Sequence, residues 1–125
     1  MAVNDDVKLI ETKGNTTNEL IKVWAVQSTN KNITRVVIIH KDINTQQKAQ
    51  VSIHLSFATN KTGTLYTLNA PSPYSKFGLD FSGITWDNSE NGKPIGTFNP
   101  SKISPSSSTY SFTVNPSTIS LLVIQ

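Results

Sequence analysis

No cysteine occurs among the 125 residues, which excludes a disulfide framework and any thiolate metal site and leaves the redox compartment unread. Charge is scarce as well. Acidic and basic residues together make up 15% of the chain, the net charge is only +3, and the eleven basic residues, with Arg35 the single arginine, are scattered from Lys8 to Lys102. A nucleic-acid binder concentrates its basic side chains on one face, so no nucleic-acid partner is expected. No stretch approaches the ~20 consecutive apolar residues of a membrane span, and the opening MAVNDDVK has no apolar run of the kind a secretory signal carries. A membrane partner is therefore not expected either. An initiating Met before Ala2-Val-Asn-Asp-Asp6 would also suit a piece cut from a longer secreted chain, so the destination of a parent protein stays open.

Length alone gives one domain, with a core that buries about two-thirds of the unfolded surface. What the chain does have is Ser, Thr and Asn, with short β-branched runs recurring between turn signals, the pattern of an all-β sandwich or barrel. Residues 19–27 (ELIKVWAVQ) and 34–40 (TRVVIIH) read as two strands of a hairpin near the sheet centre. Val51, Ile53, Leu55 and Phe57 alternate with Ser52, His54 and Ser56, giving a strand with one buried and one polar face. Residues 64–69 (TLYTLN) form another, stopped by the Pro-rich corner Ala70-Pro-Ser-Pro-Tyr-Ser75, since proline cannot donate to a ladder. Leu79, Phe81, Ile84 and Trp86 suggest one further strand with a bulge or kink at Gly83. YSFTV (110–114) and TISLLVI (118–124) close the chain around Asn115-Pro116, after a polar linker at 100–108. The expected fold is a single antiparallel β-sandwich of about 7–9 strands over residues 19–125, with residues 1–18 as an N-terminal tether or edge strand.

Several segments invite a chemical reading. Asp87, Ser89 and Asn91 sit at alternate positions before Gly92, as in the first half of a calcium loop. The twelfth position, where such a loop needs a bidentate Glu, is Phe98, and Pro94 interrupts it. A tight turn is the expectation. The eight carboxylates lie mostly in predicted turns or terminal segments, where they stay solvated and lack the raised pKa a general acid needs; no catalytic residue is assigned. His40 and His54 are the only histidines. A zinc site needs a further strong ligand, so His54 is read as solvent-facing and His40 as closing its strand, with no metal and no cofactor. Asn15, Asn32 and Asn60 open glycosylation sequons in predicted loops, a feeble pointer to secretion.

Most aromatic rings should be core, because each one buried contributes several kcal/mol of transfer free energy; Phe57, Phe81 and Phe112 are assigned there. Trp24 shares its face with Leu20 and Val26, as core or interface. The rings that could instead stack on sugar are Tyr74, in the Pro-rich turn, with Trp86 and Trp24. They are the candidate carbohydrate-binding residues.

Taken together, Ile21-Lys-Val-Trp-Ala-Val26, Val36-Val-Ile-Ile-His-Lys-Asp42, the run Leu68-Asn-Ala-Pro-Ser-Pro-Tyr-Ser-Lys-Phe-Gly78, then Trp86-Asp-Asn-Ser-Glu-Asn-Gly-Lys-Pro-Ile-Gly96 and the ending Tyr110 to Val123 are similar to the C-terminal β-domain of glycoside hydrolases of the family 79 type, heparanase and β-glucuronidase. Ile39-His-Lys-Asp42 departs from the Asn-Lys-Asp that such domains commonly carry there. The resemblance implies an eight- or nine-stranded sandwich packed on a catalytic (β/α)₈ barrel, with both catalytic carboxylates on that barrel, which needs about 250 residues absent from this chain. It implies no enzyme activity for this chain alone, a catalytic barrel as partner, and a parent that is secreted, extracellular or lysosomal. It also implies that chain lying before the barrel completes the sandwich, so that an open edge could pair with another copy. The rival expectation is a carbohydrate-binding module recognising a polysaccharide through exposed aromatics.

Overall fold

The computed structural model describes residues 7–10, 20–28, 33–42, 47–55 and 60–125, with side chains from residue 20 onward. Eleven strands and no helix occur among them: β1 Val7–Ile10, β2 Ile21–Ser28, β3 Ile33–His40, β4 Ala49–His54, β5 Gly63–Asn69, β6 Asp80–Phe81, β7 Ile84–Thr85, β8 Ile95–Gly96, β9 Ser101–Ile103, β10 Thr109–Val114 and β11 Thr118–Ile124. Seven of these have four or more residues, within the expected 7–9; the rest are short pieces at one edge. The main sheet runs β1-β2-β3-β11-β5-β6-β7-β8, with β9 also on β5, and β4 and β10 make a second, two-stranded sheet. Every pairing is antiparallel. Val7–Ile10 pairs with β2 as the first strand of the main sheet.

The interior follows from period-2 patterning read across strands in register. Ala25, Val36, Leu122 and Leu65 face one another along β2, β3, β11 and β5. From the other layer, Val51, Tyr110, Phe112 and Val114 close over them. Tyr110 is 0% exposed, and its hydroxyl donates to Lys61 O at 2.6 Å, so the one polar atom of the deepest ring is satisfied.

Three sequence expectations change. Most rings are not core: of the described aromatics only Tyr110 and Phe112 are buried in it. Phe81 instead lies half-buried in a stack with Tyr66 and Phe98, at ring-centroid distances of 6.4 Å to Tyr66 and 5.7 Å to Phe98. Phe57 and the sequons at Asn15 and Asn32 lie outside the described residues.

Secondly, the chain does not kink at Gly83 but reverses: Phe81 pairs with Ile84 across a two-residue turn in which Ser82 and Gly83 both have positive φ, 49° and 98°. That is the primed hairpin geometry that matches strand twist. A Cβ on Gly83 would run into Thr97 O, and one on Gly96 into Gly83 O, so two backbones meet where no side chain fits. The alternation of apolar residues is the same for a kinked strand and a tight hairpin, which is why sequence does not separate them.

Thirdly, the polar linker at 100–108 contributes β9, paired to β5, and then a turn in which Ser107 and Ser108 take positive φ between the bridged Ser106 and Thr109.

Leu122 and Ile119 lie on one strand but on opposite faces, Leu122 at 0% exposure and Ile119 at 44%. Leu122→Ala should therefore cost about 2–5 kcal/mol in urea unfolding of the chain, and Ile119→Ala no more than about 0.5 kcal/mol. Equal losses would mean that the faces are assigned the wrong way round.

Candidate functional site

The two layers present opposite chemistry outward. On the second sheet the outward positions pair polar with polar: Gln50 with Thr113, Ser52 with Ser111, His54 with Thr109. Each pair is hydrogen-bonded through its side chains, at 2.8, 3.2 and 2.9 Å. This face suits water. It also holds His54, exposed on the polar side as its alternation indicates.

On the main sheet the outward rows are apolar. Trp24, Val37, Leu121 and Tyr66 are registered side by side across β2, β3, β11 and β5, a row about 14 Å long at ordinary strand spacing. Beside it run Ile39, Ile119, Leu68 and Phe81. Trp24, Leu68, Ile119 and Phe98 are all exposed. Strands apolar on both faces are those covered on both faces, and β11, with Leu121 and Val123 outward of Leu122 and Ile124, carries that pattern in its sequence. This was the signal available for the outward face, and reading the rings as core hid it.

At the far edge of this sheet two loops are tied together. In residues 70–79, Ser75 N donates to Ser72 O at 3.2 Å, and Ser72 N to Ser75 Oγ at 2.9 Å. Gly78 N then donates to Asp87 Oδ2 at 2.6 Å, which joins this loop to the one after β7. In that second loop the oxygens that resembled a calcium set are spent on closing a turn: Ser89 Oγ donates to Lys93 O, Asn91 Oδ1 accepts from Lys93 N, and Trp86 Nε1 donates to Gly92 O. The segment is a turn built by its own polar side chains.

Of the three candidate sugar-binding rings, Tyr74 and Trp86 sit on the tied loops, while Trp24 lies on β2, beyond β5, β11 and β3 in the sheet. The structure does not gather the three into one row. It adds Phe77 to Tyr74, the two being 75% and 80% exposed; Phe77 was passed over because it falls in an irregular loop with no period to read.

Two titratable side chains, His40 and Asp80, serve the fold. His40 is buried at the end of β3 with Nε2 against Gln47 O at 2.9 Å, while Nδ1 faces the Asp42 N–H at 3.4 Å. The carbonyl can only accept, so Nε2 carries the proton, and the ring closes the strand end. Asp80 accepts from Gly83 N and caps the hairpin. Asp5, Asp6, Glu11 and Glu19 lie outside the described residues. Of two cavities among the described residues, neither is lined by a carboxylate. One of about 230 Å³ is lined mainly by Ile39, His40, Pro73, Thr118 and Ile119. The other, of about 280 Å³, has hydroxyl and amide walls.

The fold and these surfaces define a β-sandwich module with one polar and one apolar flank. The chain belongs to the family of the glycosyl hydrolase family 79 C-terminal beta domain, whose model matches residues 23–121. No curated protein matches it. Among solved structures it is similar to a 4-O-α-L-rhamnosyl-β-D-glucuronidase from Fusarium oxysporum, at 18% identity and a TM-score of 0.67 over 94% of this chain and 26% of that one. It is also similar to a GH30 endoxylanase from Clostridium papyrosolvens, at 10% identity and 0.60 over 95% and 23%. A third is CelM2, a bifunctional glucanase-xylanase from a metagenome library, at 19% and 0.57 over 84% and 16%. At such identities the likeness concerns the fold alone. The chain spans about a sixth to a quarter of the length of these hydrolases.

Gly83→Ala should lower stability by about 2 kcal/mol or more, because the positive φ and the contact with Thr97 O both oppose a methyl group; chemical unfolding measures it. Asp87→Ala should leave the core intact and speed amide exchange at Gly78 about tenfold. Unchanged exchange there would show that the two loops are held by something other than this bond.

Proposed function

We propose that this chain is the non-catalytic β-module of a glycoside hydrolase and that it covers the flank of a catalytic (β/α)₈ barrel carried elsewhere in the parent protein. One observation carries the reading: the main sheet turns an apolar face outward while the second sheet turns a hydrogen-bonded polar ladder outward. A contiguous exposed apolar surface of this kind marks an interaction site. Family membership supports a hydrolase as the parent, and the whole hydrolases of similar fold have about three-quarters or more of their length outside the matched domain. The reaction belongs to that remainder. The parent acts on glycans outside the cytosol.

Among the described residues β4 and β10 pair only with each other. Their outer edges are the places where chain preceding the barrel would add strands, and where a second copy would pair in its absence. A second reading rests on Tyr74 and Phe77, which stand out on polar-tied loops and could stack on the apolar faces of pyranose rings of a polysaccharide.

With its apolar face bare, the isolated chain should bind an apolar dye and associate reversibly with concentration in sedimentation experiments. Leu121→Lys should weaken that association at least about tenfold, or 1.4 kcal/mol, and Ser111→Lys on the polar ladder should leave it unchanged. Association and dye binding indifferent to Leu121→Lys would sink the proposed interface. No turnover of aryl glycosides is expected from the chain by itself. For the second reading, gels containing xylan or glucan should retard the chain, and Tyr74→Ala should abolish the retardation; free migration of the unaltered chain rejects it.

A further inference from the structure

Charge falls unevenly on the two faces of the main sheet. On β3, Thr34 and Val36 are buried at 2% and 1% exposure, so Arg35 between them points outward. It belongs to a third outward row beside the two apolar ones: Val26, Arg35, Val123, Thr64 and Lys102 are registered across β2, β3, β11, β5 and β9. Lys22, opposite Ile39, ends the neighbouring apolar row on β2. The described outward positions of these strands thus hold the cations Lys22, Arg35 and Lys102 and no carboxylate. The one carboxylate on any strand of the sheet, Asp80, is registered with Asn69 on the inner side of β5 and accepts from Gly83 N.

Arg35 is the member of this set with an unmet need. It is the only arginine in the chain and is half-buried, with Val26 and Val123 as its neighbours in the row. No hydrogen bond or ion pair holds its guanidinium among the described residues. Lys102, by contrast, donates to Thr64 Oγ1 at 2.9 Å, and Lys22 is exposed to water. A guanidinium carries its N–H donors in a rigid fork that fits a carboxylate bidentately. Covering this face with apolar side chains alone would strip water from Arg35 and give it no partner, which is strongly unfavourable for a charge.

We propose that the surface docking on this face is apolar with carboxylates at its rim, that one Asp or Glu of it pairs with Arg35, and that it belongs to the catalytic barrel of the same parent chain. The inference rests on the docking proposed above and adds the chemistry of what docks. A second copy does not fit, because its own outward face would set cation against cation. An acidic glycan could pair with Arg35 but would leave the aliphatic Val37, Leu121, Ile39 and Ile119 uncovered. A protein surface supplies both elements at once, and hydrolases of similar fold carry most of their length outside the matched domain. Arg35 then acts as a specificity contact, since an apolar surface lacking the acid leaves it unpaired.

The test is a pair of amide NMR titrations of the chain. One uses dodecanoate, which joins an alkyl chain to a carboxylate, and the other dodecyltrimethylammonium, of equal chain length and opposite charge, both below their micelle concentrations. Saturable shifts at Val37, Leu121 and Val123 are expected with both, at least about tenfold tighter with dodecanoate. Arg35→Gln should bring the two affinities within about twofold of each other while the shifts persist. Lys48→Gln, which removes the same charge beside β4 in the other layer, should leave the preference intact. Should Arg35→Gln fail to fold, Arg35→Lys, which keeps the charge and loses the fork, should still lower the preference severalfold. Binding by neither amphiphile would reject the docking face itself. Equal binding of both, or a preference that survives Arg35→Gln in a folded protein, would overturn the carboxylate assignment and leave the docking face standing. A heparin oligosaccharide that saturates at Arg35 more tightly than dodecanoate would overturn it in favour of an acidic glycan.

Discussion

β11 is held between β3 and β5 by seven registered pairs on each side, and this double pairing is the constraint from which the other features follow. Because side chains alternate strictly, fixing the register of one central strand fixes which residues of three strands share each face. A slip by one residue would turn Leu122 and Ile124 outward and bring Leu121 and Val123 in, with Arg35 and Lys22 carried along on their neighbours. The inward row Val36, Leu122, Leu65 and the outward row Val37, Leu121, Tyr66 are thus two readings of the same register. Core, outward face and polar cavity all inherit their composition from it.

What could be read from the chain tracks how local the determining physics is. β4 was visible because Val51 and Ile53 alternate with Ser52 and His54, and the closing strands because Asn115-Pro116 divides two β-branched runs. Sequence alone leaves Trp24 open between core and interface for a definable reason: in β2 and β11 both faces are apolar, so alternation no longer says which face is the interior. Only pairing partners distant in sequence decide that Trp24 and Tyr66 point away from the second sheet. Ser82 at positive φ carries no compositional signal, unlike the Gly83 beside it, so the hairpin was legible only as an irregularity. The polar cavity was less visible still, since Ser120 looks like an isolated serine in an apolar run until Thr67 is set opposite it.

The candidate surfaces are divided with some economy of means. The ladder of Gln50, Ser52 and His54 with Thr113, Ser111 and Thr109 satisfies its own polar groups within the sheet. The apolar rows have no such internal solution and gain only when covered. The loops that present Tyr74 and Trp86 are closed by serine, asparagine and aspartate bonds and by the Trp86 indole N–H itself, and both rings are exposed. Of the two cavities, one is walled largely by apolar surface with His40 and Lys41 beside it, and the other by neutral polar groups.

β10 and β11 are consecutive in sequence yet belong to different layers, joined only by Asn115, Pro116 and Ser117. Thr118 Oγ1 donates to Asn115 O at 2.6 Å, and Ser117 N to His40 O at 3.1 Å, so the crossing is anchored on both sides. From Val114 to Thr118 the chain can reach at most about 14 Å, not far above the roughly 10 Å between packed sheets. Such a short tether leaves little slack for the layers to slide or part at this end of the sandwich. A load applied to β10 is carried through these three residues straight into the strand at the sheet's centre.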